Sequence, residues 1–156
     1  MYVMPIGQID IMSANEYSHI TSVRSRYAET DQMGFVYYGR FAEYYEIGRV
    51  ETMRSLGLKY SDLESIHKII MPVVSMQVRY LRPALYDQLL FIKTSIRHLP
   101  DTSITFFTEI QNEENQLINA ATIKLCFLDA DTKKRVNCPK IIQDALNHAF
   151  QHTHIR

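Results

Sequence analysis

Tyr27-Ala-Glu-Thr-Asp31-Gln-Met-Gly34-Phe-Val-Tyr-Tyr38-Gly-Arg-Phe41 runs directly into Ala-Glu-Tyr-Tyr-Glu-Ile-Gly48-Arg-Val-Glu-Thr-Met-Arg-Ser-Leu56-Gly57. The second half reads as one amphipathic helix. Phe41, Tyr44, Tyr45, Gly48, Met53 and Leu56 fall near the three-and-four spacing that lines up one helical face. Arg40, Glu43, Arg49 and Arg54 fall largely off it. Gly57 stands where a left-handed residue ends a helix. Gly48 is out of place by propensity, at a cost of about 1 kcal/mol against alanine. Close packing of the helix on a sheet would account for it; a tolerated surface glycine is the alternative.

The first half is turn chemistry. Thr30, Asp31 and Gly34 are turn and cap formers, and the helix is expected to start near Tyr38 to Arg40. Amides in its first turn lack intrahelical acceptors and carry the positive end of the helix dipole. Such amides can hold a developing oxyanion. Asp31, just upstream, is the residue type that activates water against an acyl carbonyl or attacks it directly. Spacing alone leaves a second reading open, an aspartate that only stabilises its own turn.

Composition narrows the classes. The 156 residues fit one domain with a real core. Lys plus Arg and Asp plus Glu both number 17, so the basic excess of a general nucleic-acid binder is lacking. Cys126 and Cys138 are too few for a disulfide scaffold and lack zinc-ligand spacing; reduced thiols in a cytoplasmic protein are expected. Residues 1–12 show no basic leader segment, and Gln8 and Asp10 interrupt the apolar run. No stretch approaches the length of a membrane span.

Around the central stretch, residues 1–17 read as an irregular arm with a short strand through Ile9 and Ile11. His19 to Tyr27 reads as a strand, and Lys59 to His67 as a short helix capped by Ser61 with Glu64 three residues on. From Ile69 the period changes to two. Strands are expected over Met71–Leu81, Leu89–Arg97, Ser103–Gln111 and Leu117–Leu128. Asn112-Glu-Glu-Asn115 is a hairpin loop and Asp129 to Arg135 a charged turn. Pro139 to Phe150 has helical spacing with proline at the start, and Gln151 to Arg156 is a frayed tail. Four successive strands with short turns imply an antiparallel meander beside one long helix, an α+β domain whose open edges invite a second copy.

Other candidates are weaker. Glu46 is expected to pair with Arg49 or Arg40 or to be solvated, and Glu29 to be exposed. Tyr37, Tyr38, Tyr44 and Tyr45 would divide between pocket lining and core. The histidines form no metal motif. There is no Gly-x-Ser-x-Gly elbow, phosphate-binding glycine loop or dinucleotide fingerprint. Lys133-Lys-Arg135 reads as a solvated basic turn.

The pattern Tyr27-x-Glu-Thr-Asp31-x-Met-Gly34-x-Val-Tyr-Tyr38, followed by Tyr44-Tyr-Glu46-x-Gly-Arg49-x-Glu51, resembles the hotdog-fold acyl-CoA thioesterases of the 4-hydroxybenzoyl-CoA thioesterase and YbgC-like group. Met71-Pro-Val and Arg82-Pro-Ala-Leu-Tyr-Asp87 resemble that group's second-strand region. The resemblance implies one hotdog domain over 1–156, with a five-stranded antiparallel sheet wrapped around the 38–57 helix. It implies hydrolysis of an acyl-coenzyme A, or of acyl carrier protein, without a cofactor. Asp31 would be base or nucleophile and the Tyr38 amide the oxyanion donor, with Glu46 the alternative carboxylate of a second branch. Gly34, Val36, Tyr37, Tyr45, Val73 and Val74 would contact substrate, and Arg97, Lys133 and Lys134 the coenzyme A phosphates. Some group members carry histidine at the Tyr38 position. Related dehydratases use a histidine in this region, where this chain has none between Ile20 and Ile66. Members are dimers or homotetramers with interfacial sites. A non-catalytic acyl-CoA-binding module on the same fold is the alternative function.

Overall fold

The computed structural model describes residues 16–152. The expected strand through Ile9 and Ile11, nearly all of the arm, and the tail beyond His152 lie outside the described residues. Strands are β1 (Tyr17–Arg24), β2 (Ile69–Ile70), β3 (Val73–Tyr80), β4 (Leu89–Ile96), β5 (Ser103–Gln111), β6 (Leu117–Cys126) and β7 (Leu128–Asp129). Helices are α1 (Phe41–Ser55), α2 (Tyr60–Ser65) and α3 (Lys140–His152).

Five strands form one antiparallel sheet in the order β1-β4-β5-β6-β3, while β2 and β7 pair as a separate short ribbon. The expected meander therefore holds only for β4, β5 and β6. β3 pairs with β6, far from its sequence neighbour β4, and leaves β4 free to receive β1. α1 packs on β1, β4 and β5. Its face of Phe41, Tyr44, Tyr45, Gly48 and Met53 is buried against Leu90, Ile92 and Ile96 of β4 and Ile104, Phe106 and Ile110 of β5. α3 buries Ile142, Leu146 and Phe150 in the same core. This is the hotdog arrangement, with the long helix held in the curl of the sheet.

Gly48 is a position of close approach. A β-carbon there would stand 2.6 Å from both Ile92 Cγ2 and Thr94 Oγ1, so a side chain is excluded by β4. Gly57 follows α1 at φ +79° and donates its amide to Arg54.

Several boundaries differ from the sequence expectation. The first strand ends at Arg24, and Tyr27–Glu29 forms a 3-10 turn. A second 3-10 turn at Tyr38–Arg40 precedes α1. Lys59, not Ser61, caps α2, and Ser61 Oγ turns to Asp62. Main-chain geometry at Lys59 is extended and the helix begins at Tyr60, two residues earlier than the serine signal. The strand expected over Met71–Leu81 is trimmed to Val73–Tyr80, and the residues before it, Ile69–Ile70, pair separately with β7.

Candidate active site

Residues 30–36 form a small hairpin held by main-chain bonds. Thr30 bridges Val36, and the Asp31 amide donates to the Phe35 carbonyl at 2.8 Å. Gly34 at φ +81° makes the reversal, a conformation that costs glycine little and other residues more. Asp31 Oδ1 accepts from the amides of Met33 (2.9 Å) and Phe35 (3.3 Å). One oxygen therefore stabilises the turn. Among the described residues the second oxygen has no hydrogen-bond partner, so the turn-stabilising role uses only one of the two.

The hairpin is docked at three points. The Val36 amide donates to the Ala84 carbonyl, Phe35 bridges Leu85, and the Tyr37 amide donates to the Glu29 carbonyl at 2.8 Å. Beyond Tyr37, the Arg40 amide bonds back to Tyr37 and the Phe41 amide to Tyr38. The amides between them, of Tyr38 and Gly39, have no acceptor among the described residues. They are the unpaired donors expected where a helix opens.

A cleft of about 340 Å³ lies between this hairpin, the start of α1 and the segment after β3. Asp31, Met33, Val36, Tyr38 and Phe41 line one side, and Tyr80, Leu81, Arg82, Pro83 and Ala84 the other. The wall is aromatic: Tyr38 meets Tyr80 edge-on at 6.4 Å, and Phe41 meets Tyr80 at 5.8 Å. The Tyr80 hydroxyl donates to the Tyr38 carbonyl at 3.2 Å, which ties β3 to the helix entrance. The Arg82 guanidinium donates to the Leu117 carbonyl at the rim.

Asp31, Val36 and Tyr38 thus come together. Gly34 and Tyr37 flank the cleft, Gly34 through the turn and Tyr37 by packing 4.6 Å from Tyr38. Tyr45 does not line it. It is buried beneath, stacked on Phe41, with its hydroxyl bonded to Asn119 Oδ1 at 2.9 Å. Burial pushes the Tyr45 hydroxyl well above its ordinary pKa. Val73 and Val74 sit at the opposite end of β3 from Tyr80, exposed and outside this cleft. Glu46 lies in a separate depression with Glu43, Ile47, Val50 and Glu51. Arg97 stacks over Phe107 at 4.3 Å and pairs with Glu16 on the outer sheet face. Lys133 bends back to the Ala130 carbonyl, and neither it nor Lys134 reaches the cleft. Among the described residues no three His, Cys, Asp or Glu side chains gather as a metal site.

Glu29 reverses its expectation. Its residue is 3% exposed, because Arg26 closes over it and Tyr44 reaches it from α1. Oε1 accepts from Arg26 Nε (3.0 Å) and Nη2 (2.7 Å), and Oε2 from the Arg26 amide (2.7 Å) and the Tyr44 hydroxyl (2.6 Å). Burial pushes this carboxyl up, but the bonds from Arg26 and Tyr44 outweigh it and hold the pKa below the ordinary value of 4.5. Burial and the neighbouring Glu29 charge drive the Tyr44 hydroxyl far the other way. Sequence reasoning also missed the wall from Tyr80 to Ala84; proline beside an apolar strand end was the available signal.

Residues 33–119, more than half of the chain, match the thioesterase superfamily model. The acyl-CoA thioester hydrolase YbgC of Escherichia coli is 33% identical over 77% of this chain and 89% of its own. The acyl-CoA thioesterase YbgC of Haemophilus influenzae is 27% identical over 81% and 92%. The DHNA-CoA thioesterase of Staphylococcus aureus superposes with a TM-score of 0.78 at 29% identity, covering 87% of this chain and 90% of that one. With a family model across more than half of the chain and relatives matched over most of their length, the chain belongs to the thioesterase superfamily and is a thioester hydrolase of the hotdog fold.

Proposed function

We propose that the substrate is an acyl-coenzyme A, cleaved in the cleft between the 30–36 hairpin and the start of α1. Asp31 is the carboxylate that activates water or attacks directly, and the amides of Tyr38 and Gly39 receive the oxyanion. The observation that carries this reading is that Asp31 and Tyr38 line one largely apolar cleft, where among the described residues one Asp31 oxygen has no partner and the Tyr38 amide, with that of Gly39 beside it, has no acceptor. In the water branch, Asp31 Oδ2 takes a proton as the water oxygen bonds to the thioester carbon. Charge moves to the carbonyl oxygen, where pre-aligned donors are most effective. The C–S bond then breaks as the carbonyl reforms, and the sulfur leaves as a thiol once the proton is returned. The products are a carboxylic acid and free coenzyme A. Relatives named for acyl-CoA hydrolysis support the substrate class.

The active form is a homo-oligomer. β3 is one of the two edges of the sheet, and Val73, Val74 and Met76 are at least 45% exposed along it. An unpaired strand edge of eight residues, apolar at Val73, Val74, Met76 and Val78, invites a second strand. A strict monomer by light scattering would overturn this.

The enzymatic test measures thiol release from acetyl-, palmitoyl- and benzoyl-coenzyme A, with an acyl carrier protein thioester as a further arm. Asp31→Asn should lower kcat by about 100-fold or more while leaving the thermal midpoint intact. Turnover by that variant near the wild-type rate would remove Asp31 from the chemistry.

A further inference from the structure

Glu29 is the only charged side chain buried from solvent among the described residues, and the chemistry above makes no use of it. A buried carboxylate is retained only when partnered, and the position of its partners is informative. Three of its four bonds stay local, to the amide and guanidinium of Arg26. The fourth crosses to another element, the Tyr44 hydroxyl on the second turn of α1, 15 residues away. The Glu29 carbonyl meanwhile accepts the Tyr37 amide, so residue 29 grips the far end of the Asp31 hairpin as well. Thr30 and the tip follow immediately, with no other side-chain bond from the hairpin to α1 among the described residues.

We infer that Glu29 is a positioning residue: through the Tyr44 hydroxyl its carboxylate holds the Asp31 hairpin at a fixed offset from the amides that open α1. This rests on the proposed role of Asp31. The distance between a base and its oxyanion donors is what such a site must hold, and a displacement of about 1 Å costs on the order of 100-fold in rate. Charged hydrogen bonds at 2.6–2.7 Å are the stiffest links a side chain can supply for that task. Tyr44 does not line the cleft; its ring is buried against Phe41 at 5.7 Å and only its hydroxyl serves the link.

The test uses the full-length enzyme, with thiol release from whichever of acetyl-, palmitoyl- and benzoyl-coenzyme A is turned over fastest. Tyr44→Phe keeps the packing and removes the link. It should lower kcat about tenfold with KM within about twofold, near-ultraviolet dichroism unchanged and the midpoint within about 4 °C. Glu29→Gln should lower kcat at least as far, and the double variant no further than Glu29→Gln, since the two groups act as a unit. If Glu29→Gln fails to fold, Tyr44→Phe alone decides through its kcat against KM split. Wild-type kcat in Tyr44→Phe overturns the inference, as do effects that multiply in the double variant or a loss confined to KM or folded fraction. Asp31→Asn, run alongside, separates the two ideas. An inactive Asp31→Asn beside a fully active Tyr44→Phe sinks only the positioning role, whereas an active Asp31→Asn sinks both.

Discussion

Gly48→Ala is the sharpest test of how α1 meets the sheet. The substitution favours the helix by about 1 kcal/mol through propensity alone, so an uncrowded position would gain stability. Against that, the new methyl would lie 2.6 Å from Ile92 Cγ2 and from Thr94 Oγ1, where ordinary contact begins at 3.4 Å. Both obstacles are β-branched, stiff at χ1 and fully buried, so neither can swing aside. Overpacking of this kind costs about 1–3 kcal/mol; two simultaneous overlaps place it in the upper half of that range. The net is a loss of about 1–2 kcal/mol, a midpoint lowered by about 2–8 °C for a domain of this size. Thermal and urea unfolding followed by circular dichroism measure it. Thr94→Ala removes one obstacle, so the double variant should lose less than the two single losses added. A Gly48→Ala protein as stable as wild type would mean that α1 does not press on β4 as described. Because Tyr44 rides on the same helix, the variant should also lose turnover beyond its loss of folded protein.

Four further outcomes follow from the geometry. Glu46→Gln should keep kcat within about twofold, since Glu46 faces a different depression from Asp31; a collapse of turnover would return the catalytic carboxylate to α1. The Cys138 thiol is pushed up to about 12 by burial and by Asp101, and Cys126 is buried too, so a disulfide reagent at neutral pH should label both only after denaturation. Fast labelling of native protein would contradict their burial. The Glu29 carboxyl titrates below its ordinary 4.5 in the folded chain. Its stabilisation is therefore complete above that value and lost as pH falls through the lower, folded value. Urea midpoints should drop with acidification below about pH 4.5, less steeply in Glu29→Gln, and an identical slope in both proteins would remove Glu29 from the acid transition. Gly57→Ala, at φ +79° with open space around it, should cost about 1 kcal/mol through backbone strain alone, read in the same urea titrations; an unchanged midpoint would argue against the left-handed cap.

The helix was legible because its signals are local. Apolar spacing from Phe41 to Met53, a glycine at the crowded face and a glycine past the end each belong to one element. The turn at Asp31 and the helix start near Tyr38 were legible for the same reason, the one feeding the other. Glu29 was misread because a charged residue in a turn is solvated unless something distant covers it. Part of its cover is a tyrosine hydroxyl from α1, on a side chain that spacing left between pocket and core. Glu29 three residues after Arg26 matches the offset of a reciprocal cap, a signal that only the capping geometry makes meaningful. Strand order failed differently. Alternation identifies β3 as a strand but is blind to its neighbour, and the preference for sequential pairing pointed to β4, a place β1 takes. Val73 and Val74 were tied to the substrate by resemblance to the group, whereas the β3 side chain on the cleft in this chain is Tyr80.

The crossing of β3 to β6 has a consequence for how the molecule comes into being. A nascent chain emits residues 73–80 some forty positions before the partner that will accept them. Until then the strand lacks its one hydrogen-bonded neighbour in the sheet, and Tyr80 through Ala84 can lean only on the hairpin and the start of α1. The far wall of the cleft is thus fixed only when β3 zippers onto β6, so a polypeptide halted before residue 117 should lack that wall.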